Sequence, residues 1–226
     1  HAHAHAHTQA HALAQPAARS PARSPSTSAP IDTASHEQLQ DEIDAAVKVE
    51  HGVRAMRLCS FTGIPLESQA RLAQRFSSCR HRLNDPTLSL RLFYAAPLPQ
   101  LRHLLEHGFD DMAPAQQEST FGRGWYFSRY ASYAHYFSNG SGHLLLALVA
   151  VGNTETVVRR NASRGAPSPG FDAIITPGRP LPSKSPSAVS SISCVPFSEE
   201  YVIFDGSQAL PLQLLQYEVE LAGKGG

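Results

Sequence analysis

The hydrophobic and polar positions of the chain first take a regular pattern after about residue 34. Ser35-His36-Glu37-Gln38 has the form of a capping box, and Leu39 and Ile43 follow on one helical face, which predicts a helix. Val47-Lys48-Val49 alternates and predicts a short strand. From Pro65 onward, apolar residues recur at helical spacing and predict an amphipathic helix with arginines on its solvent face. The apolar positions are Leu66, Ala70, Ala73, Phe76 and Leu83, and the arginines are Arg71, Arg75, Arg80 and Arg82.

Strand patterns dominate the rest of the chain. Residues 88–96 alternate and then become wholly apolar, which predicts a strand entering the core, and residues 98–107 predict a short helix that ends at Gly108. Further strands are predicted over residues 142–151, 171–176, 200–205 and 210–221. Strands and helices do not alternate regularly, so the pattern favours an α+β domain with a mostly antiparallel core.

Composition separates a tail from this domain. Residues 1–34 are rich first in His and Ala and then in Pro, Ser and Ala, with almost no large apolar side chains. Such a segment cannot offset the entropy of ordering, so it is predicted to be disordered, and residues 35–226 form the folded domain. The alternating histidines could bind a divalent metal loosely, but a biased tail or tag is the favoured interpretation.

Charge and cysteine content narrow the classes of partner. Nineteen Lys and Arg balance nineteen Asp and Glu, so charge does not indicate a nucleic-acid partner. The longest apolar run, residues 144–151, is too short to span a bilayer, and no membrane partner is expected. Three cysteines do not form a disulfide framework and favour an intracellular compartment, nuclear or cytoplasmic.

Aromatic residues are concentrated in residues 121–137, around Phe121-Gly122-Arg123-Gly124 and the Trp-Tyr-Phe run that follows. The two glycines allow a flat group to approach the backbone without meeting a Cβ. Two interpretations remain open from these residues alone. The aromatic side chains either bind a planar ring, such as a nucleobase or nicotinamide, or simply pack in the core.

A possible metal site is present at His103-Leu-Leu-Glu106-His107, which matches the H-x-x-E-H pattern of some zinc proteases. The predicted helix is short, ends at once at Gly108, and is followed by no clear third ligand. No metal is therefore expected.

Three motifs in fixed order resemble the catalytic domain of the poly(ADP-ribose) polymerases and their mono-ADP-ribosylating relatives. They are Leu-Phe-Tyr94-Ala-Ala, Phe121-Gly-Arg-Gly-Trp-Tyr-Phe, and Glu200-Tyr-Val-Ile-Phe-Asp with Gln208 and Pro211 behind it. The likeness covers about residues 45–221. The segments 63–76, 107–109 and 143–152, together with the Tyr94 strand, are also similar to the plant SRO (radical-induced cell death) proteins, which carry a divergent domain of the same fold.

The resemblance implies a split, mostly antiparallel β core with flanking helices, and NAD+ as a substrate that donates ADP-ribose to a protein acceptor. It also implies that Glu200 is the catalytic carboxylate, although a one-residue slip would exchange it with Glu199. The NAD+-binding residues that it implies are Tyr94, Ala95, Tyr126, Phe127, Ala134, Tyr136 and Phe137.

The chain departs from the family pattern in the first two motifs. Tyr94 stands where active members carry His, Ala95 where they carry Gly, and Ala134 where they carry the Ser that holds the nicotinamide amide. Chain elongation needs the His as well as the Glu in this pattern, so transfer of single ADP-ribose units is expected. The alternative is a catalytically silent module that binds a protein partner, as the similarity to the SRO proteins suggests.

Overall fold

The structure, a computed structural model, describes residues 34–114, 120–179 and 196–222. The predicted disordered tail lies outside these ranges except for Ala34. The helices are α1 (His36–Ala45), α2 (Leu66–Arg80), α3 (Leu98–His107) and α4 (Ala131–Ala134). The strands are β1 (Val53–Gly63), β2 (Ser89–Tyr94), β3 (Trp125–Ser128), β4 (His143–Ala150), β5 (Thr154–Thr156), β6 (Ala173–Thr176), β7 (Glu200–Ile203) and β8 (Ala209–Leu221).

These strands form one sheet in the order β1-β8-β4-β2-β3-β7-β6-β5. Neighbouring strands run antiparallel, apart from the parallel pair β5 and β6. In the centre, β2 and β3 are joined only at Phe93 and Ser128, whereas β1 and β8 pair along most of their length. The sheet therefore consists of two halves that meet at a weak central junction, and the predicted α+β class with a mostly antiparallel core is confirmed.

Helix α1 begins as the sequence predicts. The Ser35 hydroxyl accepts a hydrogen bond from the Gln38 backbone N–H at 3.2 Å, and the Gln38 side chain accepts one from the Ser35 N–H at 2.8 Å. Leu39 and Ile43 are buried. This reciprocal cap satisfies two backbone donors that a helix start otherwise leaves unpaired.

Helix α2 is also confirmed, and Phe76 is buried as predicted, but the buried face is rotated away from Leu66 and Ala70. The structure buries Ser68, Leu72, Phe76 and Cys79, while Leu66 is 82% exposed. Arg71 helps to fix this rotation, because its guanidinium donates to the carbonyls of Glu106 at 2.8 Å and His107 at 3.2 Å. A cation at the end of α3 is favourable because the last carbonyls of a helix lack intrahelical partners.

The start of the sheet was predicted incorrectly. Val49–His51 forms a 3-10 turn closed by Gly52 at a φ of 73°, and the first strand begins only at Val53. Strand β1 was missed because it lies at the sheet edge, where most of its side chains are exposed and no clear alternation of burial marks it. Part of that edge is covered, because the Gln40 side chain bonds the Met56 carbonyl at 2.9 Å and the Leu58 N–H at 2.7 Å.

The remaining predicted elements are present within two residues of their predicted bounds, and the three-residue strand β5 was not predicted. Most buried apolar side chains form one large cluster that packs under the helices. A second, small cluster lies in the half of the sheet that contains β3, β6 and β7, and it consists of Phe121, Tyr126, Val157, Ile174 and Val202. Among the described residues, no helix has both the length and the apolar character needed to cross a membrane.

Candidate active site

A small cavity opens at the junction where β2 meets β3. The lining residues come from β2 and the residue after it, from β3, from α4 and the turn behind it, and from the segments around β6 and β7. They are Phe93, Ala95, Tyr126, Ser128, Tyr133, Ala134, Phe137, Arg179 and Glu200. The free volume that remains is about 10 Å³, which is barely the room needed for one water molecule.

Tyr126 presents its ring to this cavity from a rigid support. Its hydroxyl accepts a hydrogen bond from the Phe121 N–H at 2.9 Å and donates one to the Gly122 carbonyl at 2.8 Å. Burial raises the pKa of this hydroxyl above 10, so the ring carries no charge of its own at neutral pH. The chain at Gly124 lies against β7 at a distance that only glycine permits, because a Cβ on Gly124 would stand 2.5 Å from the Ile203 carbonyl oxygen.

Glu200 is the first residue of β7, and its side chain is only 2% exposed. The strand pairs with Ser128 of β3 on one side and with Thr176 of β6 on the other, so the backbone around the carboxylate is held by the sheet. The neighbouring Glu199 is exposed. The structure therefore distinguishes the two acids that sequence reasoning could exchange, and only Glu200 lines the cavity.

Arg179 forms a close ion pair with this buried carboxylate. Its Nη2 lies 2.7 Å from Oε1, its Nε lies 3.0 and 3.1 Å from the two carboxylate oxygens, and its backbone N–H donates to Oε2 at 3.0 Å. The arginine side chain is 10% exposed. Its guanidinium carbon also lies 4.6 Å from the ring centre of Tyr126 and 4.0 Å from that of Phe137. The cation thus contacts a carboxylate and two aromatic rings at once.

Sequence reasoning missed Arg179. It directly follows β6 and a Pro177-Gly178 turn, inside a connection so rich in Pro, Ser and Gly that the sequence indicates only loop. No local pattern assigns it to Glu200, which is 21 residues further along the chain.

The residues predicted to bind NAD+ fall into two groups. Ala95, Tyr126, Ala134 and Phe137 line the cavity together with Glu200. Tyr94, Phe127 and Tyr136 do not line it.

Tyr94 and Phe127 occupy the opposite face of the sheet from the cavity. The Tyr94 ring packs in the core against Phe109, Trp125 and Phe127 at centroid distances of 5.3, 5.8 and 5.4 Å. Successive side chains of a strand alternate between faces, so Phe93 and Ala95 are the β2-side residues that face the cavity. The register of β2 therefore keeps the Tyr94 ring out of this cavity, and contact between Tyr94 and NAD+ stays a prediction.

Tyr136 and the nearby Ser132 are directed to the 3-10 turn that precedes β1. The Tyr136 hydroxyl donates to the His51 carbonyl, and the Ser132 hydroxyl bonds Nδ1 of His51 at 2.7 Å and accepts from the Lys48 N–H at 2.9 Å. Ser132 is fully buried in this arrangement. It therefore does not replace the hydroxyl that is missing at Ala134, where the cavity wall offers only a methyl group.

The H-x-x-E-H pattern forms a surface cluster on α3. Nε2 of His103 lies 2.8 Å from Oδ2 of Asp111, and the rings of His103 and His107 are 4.5 Å apart. In the part of the chain that the structure describes, no group of three His, Cys, Asp or Glu side chains is arranged to hold a metal ion.

A larger cleft, with a volume of about 360 Å³, lies elsewhere. It is bounded by β1, β8 and α3, and its lining includes Arg102, Glu106 and His143. It contains none of the predicted site residues, and most of its polar lining is solvent-exposed. Size alone does not identify the site, because the buried carboxylate and the convergent aromatic rings belong to the smaller cavity.

Comparison with known proteins agrees with the fold. The model of the poly(ADP-ribose) polymerase catalytic domain matches residues 42–219, which is most of the chain. No curated protein matches the chain, so the similarity to the plant SRO proteins stays a prediction. The family match spans both halves of the sheet and includes Tyr126, Phe137 and Glu200. The chain therefore belongs to the family of poly(ADP-ribose) polymerase catalytic domains.

Proposed function

We propose that this chain is an NAD+-dependent ADP-ribosyltransferase that transfers single ADP-ribose units to a side chain of a protein acceptor. The observation that carries the proposal is the position of Glu200. It is a buried carboxylate at the head of a central strand, and it faces the same cavity as the rings of Tyr126 and Phe137. Burying a carboxylate is costly, so a carboxylate kept in a cavity of this kind is a candidate for catalysis.

In this proposal the aromatic rings receive nicotinamide. Tyr126 and Phe137 supply flat apolar surfaces, and the hydrogen bonds of the Tyr126 hydroxyl to the backbone keep its ring fixed. Ala95 and Ala134 leave room near the backbone, although neither side chain can hydrogen-bond the amide of the substrate. Losing one such polar contact costs about 1–3 kcal/mol, so weak binding of NAD+ is expected.

The role of Glu200 follows from the charge that develops during the reaction. When the bond between the ribose C1 and the nicotinamide nitrogen breaks, its electron pair neutralises the departing pyridinium ring, and positive charge spreads over the ribose C1 and ring oxygen. A fixed carboxylate beside the ribose stabilises that charge, as it does in glycoside hydrolysis. The acceptor side chain then attacks C1 and loses a proton, which gives ADP-ribosylated protein, free nicotinamide and H⁺.

Transfer of single units is proposed because the second polar group that the family pattern uses for chain elongation is missing. Tyr94 occupies that sequence position, and its ring packs into the core between other aromatic side chains.

Incubation with NAD+ labelled in the adenylate moiety tests the proposal. We expect labelled protein and released nicotinamide, and we expect Glu200→Gln to lower turnover about 10²–10³-fold by removing the charge that stabilises the transition state. Glu199→Gln is the matched control, because this neighbour is exposed and does not line the cavity, so turnover should remain close to that of the wild type. Equal losses in the two variants would contradict the assignment of Glu200.

A second candidate function is a catalytically silent module that keeps the fold to bind a protein partner. Two observations favour it. Arg179 fills the space between Glu200 and the aromatic rings, and Ala134 offers a methyl group where the family carries a hydroxyl. The absence of turnover, together with no thermal shift at millimolar NAD+, would support this candidate and exclude the enzyme.

A further inference from the structure

We infer that Arg179 is an internal competitor of nicotinamide, so that NAD+ binds productively only when this side chain has left Glu200. The inference rests on the proposed function, because it assigns the cavity to nicotinamide. It concerns regulation of the same site and can be tested without catalysis.

Arg179 occupies the space that a nicotinamide ring would need. The guanidinium is a flat cation, and its central carbon lies 4.6 Å from the ring centre of Tyr126 and 4.0 Å from that of Phe137. A flat aromatic substrate would use the same two ring faces. The cavity retains only about 10 Å³ while the arginine is in place, so it cannot hold an aromatic ring in addition.

Arg179 also compensates the negative charge of Glu200. Both carboxylate oxygens of Glu200 accept hydrogen bonds from Arg179, at distances from 2.7 to 3.1 Å. A carboxylate in such a pair has its negative charge already compensated by the guanidinium, so it stabilises an additional positive charge less effectively. Arg179 thus blocks the catalytic group as well as the space beside it.

The backbone around Arg179 is held in a position that directs this side chain to Glu200. The Arg179 N–H donates to Glu200 Oε2, and the Arg179 carbonyl accepts a hydrogen bond from the Tyr133 hydroxyl at 2.7 Å. The preceding Gly178 has a φ of 91°, and a Cβ there would stand 2.1 Å from the Ser198 carbonyl oxygen. The turn that carries Arg179 therefore passes against the residues immediately before β7, in a conformation that favours glycine.

The consequence for binding is a population effect. If only a fraction of molecules has Arg179 displaced, the apparent association constant for the substrate equals the intrinsic constant multiplied by that fraction. Removing the side chain should therefore increase affinity, even though it removes a contact that stabilises the fold.

The test measures the affinity of nicotinamide alone, by calorimetry and by thermal shift, in wild type, Arg179→Ala and Arg91→Ala. We expect Arg179→Ala to bind nicotinamide at least tenfold more tightly than wild type. Arg91→Ala is the matched control, because it removes another part-buried Arg–Glu pair, with Glu42, from a position that does not line the cavity. Its affinity should equal that of wild type.

A double variant and a competition experiment test the inference further. Because Arg179→Ala alone leaves a buried charge and could unfold, Glu200→Gln is compared with the double variant Arg179→Ala/Glu200→Gln. Glu200→Gln already weakens the hold on the guanidinium, so a smaller gain in the same direction is expected. Methylguanidinium at low millimolar concentration should then compete with nicotinamide in Arg179→Ala, which retains the Glu200 carboxylate, but not in wild type. Unchanged or weaker nicotinamide binding in both folded pairs would overturn the inference.

The outcomes separate this inference from the proposed function. Tighter nicotinamide binding in Arg179→Ala without any NAD+ cleavage would support the competitor role and refute the enzyme. Cleavage of NAD+ by wild type, with no gain in nicotinamide affinity on removing Arg179, would support the enzyme and refute the competitor role.

Discussion

Replacing Asp172 should cause one of the largest losses of stability available to a single substitution outside the cavity. This residue stands just before β6 and is 9% exposed. Its Oδ1 accepts hydrogen bonds from the backbone and side-chain N–H groups of Asn84 at 2.9 and 2.8 Å, and its Oδ2 accepts from the backbone N–H groups of Asp85 at 3.2 Å and Asn153 at 2.8 Å. One carboxylate thus joins the loop before β2, the loop after β4 and the start of β6.

The size of the effect follows from these bonds. Hydrogen bonds to a charged group contribute about 1.5–3 kcal/mol each, so four would give roughly 6–12 kcal/mol if they were independent. They share one acceptor group, and water can reach loops after they relax, so the expected loss in the free energy of unfolding for Asp172→Ala is about 3–5 kcal/mol. Asp172→Asn replaces one acceptor oxygen by a donor and should cost at least about 2 kcal/mol.

Urea denaturation followed by circular dichroism measures this loss. Asp85→Asn is the control, because the Asp85 carboxylate accepts hydrogen bonds within its own turn, from Thr87 and Leu88, and its replacement should produce a much smaller change. The pH dependence gives a second check. Burial by itself would raise the pKa of Asp172, but the hydrogen bonds from Asn84, Asn153 and Asp85 outweigh it and leave the pKa below 3.8.

A lowered folded-state pKa means that the contribution is fully present above the unfolded pKa and is lost as the pH falls through the folded value. The difference between wild type and Asp172→Asn should therefore be constant near neutral pH and shrink in strong acid. A loss for Asp172→Asn below about 0.5 kcal/mol at neutral pH, within the range of ordinary surface substitutions, would refute the reasoning.

Three other substitutions test the surroundings of the site. Gly178→Ala should cost about 1–3 kcal/mol in urea denaturation, because the added Cβ meets the Ser198 carbonyl and the backbone has positive φ; an unchanged midpoint would show that the turn is free to move. Burial lowers the pKa of His51 below 6.5, so the unfolded chain binds a proton more readily and wild type should lose stability as the pH falls from 7 to 5. His51→Gln should make this loss smaller, and an unaltered dependence of stability on pH would exclude His51 as the cause of the loss. Tyr126→Phe should lower the free energy of unfolding by about 1–3 kcal/mol, because the hydroxyl bonds the Phe121 N–H and the Gly122 carbonyl; urea denaturation with no loss would show that the loop does not need this anchor.

The sequence by itself determined the elements whose cause is local. The capping box at Ser35, the helix that ends at Gly108 and the apolar strand β4 follow from hydrogen bonding and burial within a few residues, and each is confirmed. The order of motifs also led to the family and to Glu200, because a carboxylate beside a Tyr-Val-Ile run is conspicuous without any structure. Strand β1 was missed since its pairing with β8 lies far away in sequence, and its own side chains are mostly exposed.

Only the tertiary structure decided which neighbours face the cavity and what occupies it. The register of β2 turns Tyr94 into the core, and that of β7 buries Glu200 while its neighbour Glu199 remains exposed. A shift of one residue exchanges the two faces of a strand, and motif spacing does not fix that register. Arg179 reaches Glu200 through a turn that depends on Gly178 packing against Ser198, a contact between segments distant in sequence. The occupation of the cavity by the Arg179 guanidinium therefore depends on tertiary contacts and could not be predicted from the sequence.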